Sequence, residues 1–298
     1  MITGIEASPD SLRLYKEKSI QYEDVFNILS KCIKEKKAFS LVRLGDGENC
    51  ILAYPEYVEE KQYDWVISRA FGHSKFSQND YIDMQEKLKV STKSADIIGI
   101  YPANNPNTLL GTSISLMELR NCYNQQPLST AWVNYDLYEN NKLSELLANQ
   151  SIGIISCRDI GKDLERAFHL KVSHFYSIAE EAQYHARSLE KTIKTTMPHY
   201  PDRFQEIGET IQIDFPGQIY LVGAGHLGKY YCHIIKKQGG IALDVGSLFD
   251  SWAGIYTRTC HGKGDPEQVI LPKWRLIKAK KISPLTRLIT GLKNIFST

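Results

Sequence analysis

Seven short segments of strand character, several of them almost continuously apolar, recur along the chain and alternate with segments of helical periodicity. The segment SIGIIS at residues 151–156 is typical, because both faces of such a strand would be apolar. Strands of this kind are characteristic of a parallel sheet covered by helices on both faces. The sequence therefore predicts an α/β, Rossmann-like fold with a mostly parallel sheet and helices on both faces. We expect its strands at residues 38–44, 96–101, 129–133, 151–156, 172–176, 218–222 and 241–245.

Helices are expected between these strands, where apolar residues recur at helical spacing. The segments with this pattern are residues 22–36, 81–93, 108–122, 137–148, 163–169, 178–194, 203–211 and 226–238. We predict one α/β domain over residues 1–270, with a soft boundary near residues 195–217, where three prolines lie. Residues 271–298 are predicted to form a basic amphipathic tail.

The distribution of charge limits the partners. The net charge is only +2, but seven basic residues and no acidic residue lie within residues 271–298. A nucleic-acid-binding protein would spread positive charge over one face, so nucleic acid is not an expected partner. The chain has no apolar run of the roughly 18 residues that would cross a bilayer, and its start does not resemble a secretory signal. We expect a cytoplasmic protein whose tail can contact the inner face of the membrane.

The first candidate site follows the first predicted strand. Arg43 is followed by Gly45, Asp46, Gly47 and Glu48. Ligands of parallel α/β proteins bind beyond the carboxyl ends of the strands, and glycines let a backbone turn approach a ligand. Two carboxylates beside an arginine could hold Mg²⁺ against a phosphate. A polar turn without a ligand explains the same residues equally well.

The second candidate site is a glycine-rich turn between a strand and a helix. Gly223, Gly225, His226 and Gly228 follow the strand QIYLV, and Asp244 ends the next strand. This spacing matches a dinucleotide fingerprint, with a phosphate at the helix N-terminus and an acid on the ribose. The turn predicts either an NAD(P) site or another phosphate site. A tight turn without a ligand is a further alternative.

Polar and aromatic residues follow the last predicted strand. Ser247, Asp250, Trp252 and Arg258 suit a sugar phosphate, because hydroxyl and carboxylate oxygens bind sugar hydroxyls, an indole stacks on a ring and arginine binds phosphate. Trp252 could equally belong to the core.

After the strand at 151–156, Arg158 is a candidate pyrophosphate ligand. A surface turn with a solvated arginine is the alternative.

Two segments resemble a known family. The segments FSLVRLGDGE and IYLVGAGHLGKYYCHIIKKQGGIALDVGSLFDSWAG are similar to the N-terminal strand-loop and the C-terminal signature of the GT-D-fold glycosyltransferases. The resemblance implies a metal-assisted nucleotide-sugar transferase of bacterial surface glycans or glycoproteins. It also implies that Asp46 and Glu48 are its Asp-x-Glu motif and hold Mg²⁺ or Mn²⁺.

We therefore predict a glycosyltransferase that moves a sugar from a nucleoside-diphosphate donor, with a UDP-sugar the leading expectation, to a glycan or lipid-linked glycan. Its general base would be Asp250, Asp244 or His226. An NAD(P)-dependent oxidoreductase that uses the glycine-rich turn is the alternative enzyme. A non-catalytic domain that binds nucleotide sugars is the third hypothesis, and homo-oligomerisation is left open.

Overall fold

Seven strands form one parallel sheet in the computed structural model, which describes residues 9–71, 76–101, 110–180 and 197–255. The strands are β1 (Phe39–Arg43), β2 (Ile97–Ile100), β3 (Leu128–Thr130), β4 (Ser151–Ser156), β5 (Lys171–Ser177), β6 (Ile219–Gly223) and β7 (Ile241–Asp244). Their order across the sheet is β3-β2-β1-β7-β6-β4-β5, and every neighbouring pair is parallel. The predicted fold class is confirmed.

Helices connect these strands. Within the described residues they are α1 (Pro9–Lys18), α2 (Tyr22–Glu35), α3 (Asp46–Ala53), α4 (Glu60–Phe71), α5 (Gln78–Ser94), α6 (Leu110–Leu119), α7 (Val133–Glu139), α8 (Lys142–Leu147), α9 (Gly161–Phe168), α10 (Phe204–Thr210), α11 (Gly228–Lys237) and α12 (Leu248–Trp252). Short helical turns precede α10 and α11. No helix in the described ranges is long and apolar enough to span a membrane.

The helices cover both faces of the sheet because successive side chains of a strand point to opposite faces. In β6, Tyr220 and Val222 belong to one core and Ile219 and Leu221 to the other. The first core also includes buried side chains of α3, α4, α5, α6, α10 and α11. The second includes those of α2, α7, α8, α9 and α12. This double burial explains why the strands are apolar on both faces.

Several helical segments differ from the sequence predictions, and α1, α4 and α12 had no predicted counterpart. The predicted helix at 137–148 is two helices, α7 and α8, because Asn141 adopts a left-handed backbone with φ 60°, a conformation that asparagine tolerates. Residues 178–180, predicted to begin a helix, have no regular secondary structure, and residues 181–196 lie outside the described residues. The helix α3 begins at Asp46, where a turn was expected.

The connections after β1 and β7 diverge. These two strands are neighbours at the centre of the sheet. The helix that follows β1, α3, packs into the first core, whereas α12, which follows β7, packs into the second. When the connections from two adjacent strands pass to opposite faces of the sheet, a crevice opens beyond the ends of those strands. Ligands of open α/β sheets bind in such crevices. The topology thus places a candidate site between residues 43–48 and 244–250.

Candidate functional site

A cleft of about 640 Å³ occupies this position at the carboxyl edge of the sheet. Segments that follow all seven strands contribute to it. Its lining includes Arg43, Gly45, Asp46, Gly47, Glu48, Trp65, Phe71, Tyr101, Trp132, Cys157, Glu180, Gly223, Gly225, His226, Lys229, Gly246, Ser247 and Asp250. Residues 223–226 of the glycine-rich turn and Asp46 therefore open into one cleft.

The first motif supplies one exposed and one buried carboxylate. Asp46 and Glu48 both lie in the first turn of α3, and negative side chains stabilise the N-terminus of a helix. The side chain of Asp46 is exposed in the cleft. Glu48 is only 5% exposed, and its Oε2 accepts a hydrogen bond of 2.8 Å from the backbone N–H of Gly45. The two carboxylates are therefore placed for different roles.

Glu48 is held by two nitrogen groups from the glycine-rich segment. Its Oε1 lies 2.6 Å from Nζ of Lys229 and 2.9 Å from Nδ1 of His226. Burial favours the neutral acid, but Lys229 and His226 together hold the pKa of Glu48 well below its usual value. Glu48 is thus an ionised, buried carboxylate that joins α3 to the start of α11.

Lys229 also contacts Asp244, at 3.2 Å. Burial lowers the pKa of Lys229, but Asp244 and Glu48 outweigh it and raise the pKa above the usual value. Asp244 accepts hydrogen bonds from the backbone N–H and the Nη2 of Arg43, at 3.1 and 3.2 Å. We call Arg43, Glu48, Lys229 and Asp244 the floor cluster. Lys229 was not predicted as a site residue, because the sequence of an amphipathic helix does not indicate that one of its lysines is buried.

The floor cluster corrects the role expected for Asp244. This residue is 3% exposed and is not among the residues that line the cleft. Its carboxylate is occupied by Arg43 and Lys229, so it is not placed to bind a ribose. It instead fixes Arg43, whose Nη1 also donates to the carbonyl of Ala131 at 2.9 Å. Gly246 is required beside this guanidinium, because a Cβ there would lie 2.1 Å from Arg43 Nη2.

A second ion cluster lies at the β4 side of the cleft. Arg158 is fully buried, and its Nε donates to Oδ1 of Asp250 at 2.8 Å. Its Nη2 donates to Oε1 of Glu180 at 2.5 Å. We call Arg158, Glu180 and Asp250 the acid cluster. Because Arg158 is buried and is not among the lining residues, its predicted role as a pyrophosphate ligand is wrong, whereas both carboxylates line the cleft.

The glycines of the second motif have separate functions. Gly225 is exposed in the cleft with φ +56°, a conformation that favours glycine. A Cβ at Gly223 would lie 2.4 Å from Phe249, so this glycine permits close packing of α12. Gly228 is buried at the start of α11 and does not line the cleft. A Cβ on this glycine would lie 3.2 Å from the side chain of Val222. Its predicted ligand contact is replaced by a packing role.

His226 packs over the first motif. Its ring lies so close to Gly47 that a Cβ on that glycine would be 2.0 Å from His226 Cε1. This contact holds the imidazole beside Glu48 and on the cleft surface. The two predicted glycine motifs are therefore joined by direct contact.

The residues after β7 divide between the cleft and the core. Ser247 lines the cleft, and its Oγ lies 2.9 Å from the hydroxyl of Tyr135. Trp252 is 1% exposed and packs edge-on against Tyr138, Phe168 and Phe249. Its predicted role as a sugar platform is therefore wrong. Arg258 lies outside the described residues.

Aromatic side chains that the sequence analysis did not single out form two walls of the cleft. Trp65 and Phe71 come from α4, whereas Tyr101 and Trp132 follow β2 and β3. Trp65 is 59% exposed. Tyr101 is the last residue of one predicted strand and Trp132 the penultimate residue of another, so their position near the carboxyl edge of the sheet could have been recognised from the sequence.

Residues 20–252 match the family model described as a GT-D fold-like domain. The chain belongs to the GT-D-like family. This confirms the resemblance drawn from the two glycine-rich segments, and the matched range includes every described residue that lines the cleft.

Solved structures are similar to this GT-D-like chain at low identity. One, described as a highly conserved domain of unknown function 1792 with a distinct glycosyltransferase fold, is 18% identical over 80% of this chain and 82% of that chain, with a TM-score of 0.47. Another, described as a new glycosyltransferase from Streptococcus sanguinis, is 13% identical over 78% and 82%, with a TM-score of 0.46. No curated protein matches the chain.

Proposed function

We propose that this GT-D-like protein is a glycosyltransferase that moves a sugar from a nucleoside-diphosphate donor, with a UDP-sugar favoured, to a glycan or glycoconjugate acceptor. The observation that carries the proposal is the cleft at the divergence of β1 and β7. It combines an exposed carboxylate, a buried ionic floor and two aromatic walls. These features suit a ligand with a charged centre and flat or ring-shaped ends.

The charge of the cleft supports a metal-assisted reaction. Carboxylates outnumber basic side chains among the charged residues that the structure describes in the lining, which are Arg43, Asp46, Glu48, Glu180, Lys229 and Asp250. A diphosphate adds further negative charge, so its binding needs a cation. Mg²⁺ is commonly held by one or two carboxylates together with substrate phosphates.

Of the two carboxylates expected to bind the metal, Asp46 fits as a ligand and Glu48 does not. Asp46 is exposed in the cleft and can share a Mg²⁺ or Mn²⁺ with the donor's phosphates. Glu48 does not fit as a direct ligand, because Lys229 lies 2.6 Å from one oxygen and Gly45 donates to the other. No group of three metal-binding side chains occurs in the part of the chain that the structure describes. A bound metal would stabilise charge on the leaving diphosphate.

In the transfer step, an acceptor hydroxyl oxygen forms a bond to the anomeric carbon of the donor. The bond from that carbon to the diphosphate oxygen breaks, and the nucleoside diphosphate leaves. The hydroxyl proton passes to a base. Asp250 is the candidate that we favour, because it lines the cleft and Arg158 fixes its carboxylate. Asp244 is paired within the floor cluster and does not line the cleft, so it is not placed to act as the base. His226 is the other candidate.

The oxidoreductase hypothesis is weakened by the same geometry. A dinucleotide site of this type needs an acid that reaches the ribose hydroxyls. Asp244 occupies the expected sequence position, but its carboxylate is paired with Arg43 and Lys229 beneath the cleft. A non-catalytic nucleotide-sugar-binding role differs from our proposal only in turnover, which the experiment below measures.

The acceptor and the location are proposed from an exposed tryptophan and from the basic tail. Trp65 is exposed at the cleft and suits stacking against an acceptor sugar ring. We propose that the acceptor belongs to bacterial surface polysaccharide or glycoprotein synthesis at the cytoplasmic face of the membrane. The tail at residues 271–298, which lies outside the described residues, would contact anionic lipid. Vesicle co-sedimentation of the full chain and of a version ending at Leu271 tests this, and equal binding by both would contradict it.

The central experiment is a binding and turnover panel. We expect UDP or another nucleoside diphosphate to raise the melting temperature more with Mn²⁺ than with EDTA, whereas NAD(H) has no effect. Asp46→Asn should remove the Mn²⁺-dependent part of the shift. Asp159→Asn, at an exposed carboxylate outside the cleft lining, is the matched control. Stabilisation by NAD(H) alone, or nucleotide binding with no transfer from any sugar donor, would contradict the proposal.

A further inference from the structure

The aromatic wall formed by Tyr101 and Trp132 has no role in the floor or acid clusters. Tyr101 directly follows β2, and Trp132 follows β3. Their ring centroids are 5.8 Å apart at an interplanar angle of 63°. Both side chains are half-buried and line the cleft, unlike Trp252, which is enclosed in the core. Two adjacent aromatic rings facing a ligand cleft offer a stacking surface for a flat ligand group.

Hydroxyl groups lie on the same side of the cleft. The ring of Trp132 is 6.1 Å from that of Tyr135, and the hydroxyl of Tyr135 is 2.9 Å from Oγ of Ser247, which also lines the cleft. A hydroxyl pair can both donate and accept hydrogen bonds. This side therefore combines aromatic surface with polar groups suited to the edge of a base or to a ribose.

The aromatic wall begins beside the proposed phosphate position. The hydroxyl of Tyr101 lies 3.7 Å from the point that a Cβ on Gly45 would occupy, so it is adjacent to the turn that carries Asp46. The ends of β1 and β3 are separated by two strand spacings, or about 10 Å. A nucleoside attached to a diphosphate at Asp46 can extend across that distance.

We propose that Tyr101 and Trp132 form the nucleobase subsite of the donor, with the base stacked on their rings. This inference rests on the proposed transferase function and specifies which end of the cleft holds the nucleoside. The wall on α4 differs because Trp65 is 59% exposed, which leaves it open to an acceptor that enters from solvent. The donor therefore lies across the ends of β1, β2 and β3, and its sugar points toward His226 and Asp250.

The test compares ligands that share phosphates but differ in the base. Calorimetry in Mn²⁺ would measure UDP, GDP and inorganic pyrophosphate with the full chain. Trp132→Ala and Tyr101→Ala should each weaken the preferred nucleotide by roughly 5- to 100-fold, the range expected for base stacking on an aromatic side chain. Pyrophosphate affinity should change by less than about twofold. Trp132→Phe, which keeps an aromatic ring, should recover most of the lost affinity.

The controls separate stacking from loss of structure and from the other wall. Tyr57→Ala changes an exposed aromatic residue outside the cleft lining and should leave every affinity unchanged. Retained pyrophosphate binding shows that a variant is folded. Wild-type nucleotide affinity in both alanine variants, an equal loss for pyrophosphate, or a nucleotide loss only in Trp65→Ala would overturn the subsite. Wild-type protein that binds pyrophosphate but no nucleotide would overturn the transferase function itself.

Discussion

The two ion clusters at the cleft differ in the ion pairs that the structure describes and in the elements that they join. The floor cluster has two basic groups, Arg43 and Lys229, for two carboxylates, and Asp244 contacts both of them. The acid cluster has one guanidinium between two carboxylates that line the cleft. The floor cluster joins β1, β7, α3 and α11, whereas the acid cluster places Glu180 and Asp250 on the cleft lining. We therefore propose that the floor cluster mainly supports structure and that Asp250 of the acid cluster takes part in the transfer reaction.

The largest expected effect comes from breaking the floor cluster. Lys229→Met leaves Glu48 and Asp244 buried without their shared cation, which should lower the free energy of unfolding by about 3–5 kcal/mol. Urea unfolding measures this. Lys236→Met on the same helix breaks a partly exposed pair with Asp96 and should cost less than about 1 kcal/mol. Equal losses in the two variants would show that the floor cluster is not a structural centre.

Asp250→Asn tests whether the acid cluster contributes to the reaction more than to stability. The transfer rate should fall by about 100-fold or more, because a general base contributes roughly 10²–10⁴-fold. The loss of stability should be smaller than for Lys229→Met, since asparagine can still accept from Arg158 and Glu180 remains paired. Initial-rate assays and urea unfolding give both numbers. Asp163→Asn, in an ion pair on α9 whose arginine is largely exposed, is the control. A normal transfer rate in Asp250→Asn would remove it as the base.

Gly47→Ala tests whether His226 is fixed to the floor cluster by close packing. The added methyl group would overlap the imidazole, which must leave Glu48, at an expected cost of about 1–3 kcal/mol. Gly161→Ala is the control, because its nearest neighbours would be at an ordinary 3.6 Å. Adding His226→Ala to Gly47→Ala should remove the overlap and restore part of the stability. A double variant no more stable than Gly47→Ala would exclude this steric cause.

The smallest effect is the pH dependence of the floor cluster. The folded pKa of Glu48 is depressed, so its contribution is present above about pH 4.5 and is lost as pH falls through the folded value. The folded pKa of Lys229 is raised, so its contribution is present below about pH 10.5 and is lost as pH rises through the folded value. The destabilisation by Lys229→Met should therefore shrink in acid, where Glu48 becomes protonated in both proteins. Urea unfolding of both proteins across this pH range measures it, and a destabilisation that does not shrink in acid would contradict the role of Glu48.

The sequence predicted the strands well because burial on both faces leaves a distinct apolar pattern. The strand expected at 151–156 agrees with β4 at both ends, and the one at 38–44 differs from β1 by one residue at each end. Helix α3 was missed because Gly-Asp-Gly also suits a turn. Its side-chain contact from Glu48 to Gly45 is the signal that a helix begins there.

Side-chain burial at the site was harder to predict. An arginine that follows a strand has the same local sequence pattern whether its side chain is buried or solvated. The pairing of Arg158 with Asp250 could therefore not be predicted from the sequence. Trp252 directly follows the polar residues Asp250 and Ser251, yet the helix α12 turns it into the second core. Lys229 was missed because its partners, Glu48 and Asp244, are remote in sequence or lie on another element. These outcomes depend on tertiary contacts that no local pattern contains.

The position of β7 has a consequence for the synthesis of the protein. The ribosome makes this strand last among the seven, yet it is inserted between β1 and β6 at the middle of the sheet. Until residues 241–244 emerge, β1 and β6 each present an unpaired edge, which favours association with other chains. The nascent chain cannot form the floor cluster before then, because Asp244 belongs to that strand. The cleft should therefore form late and in one step, and ribosome-bound chains that stop before residue 241 should need chaperone protection.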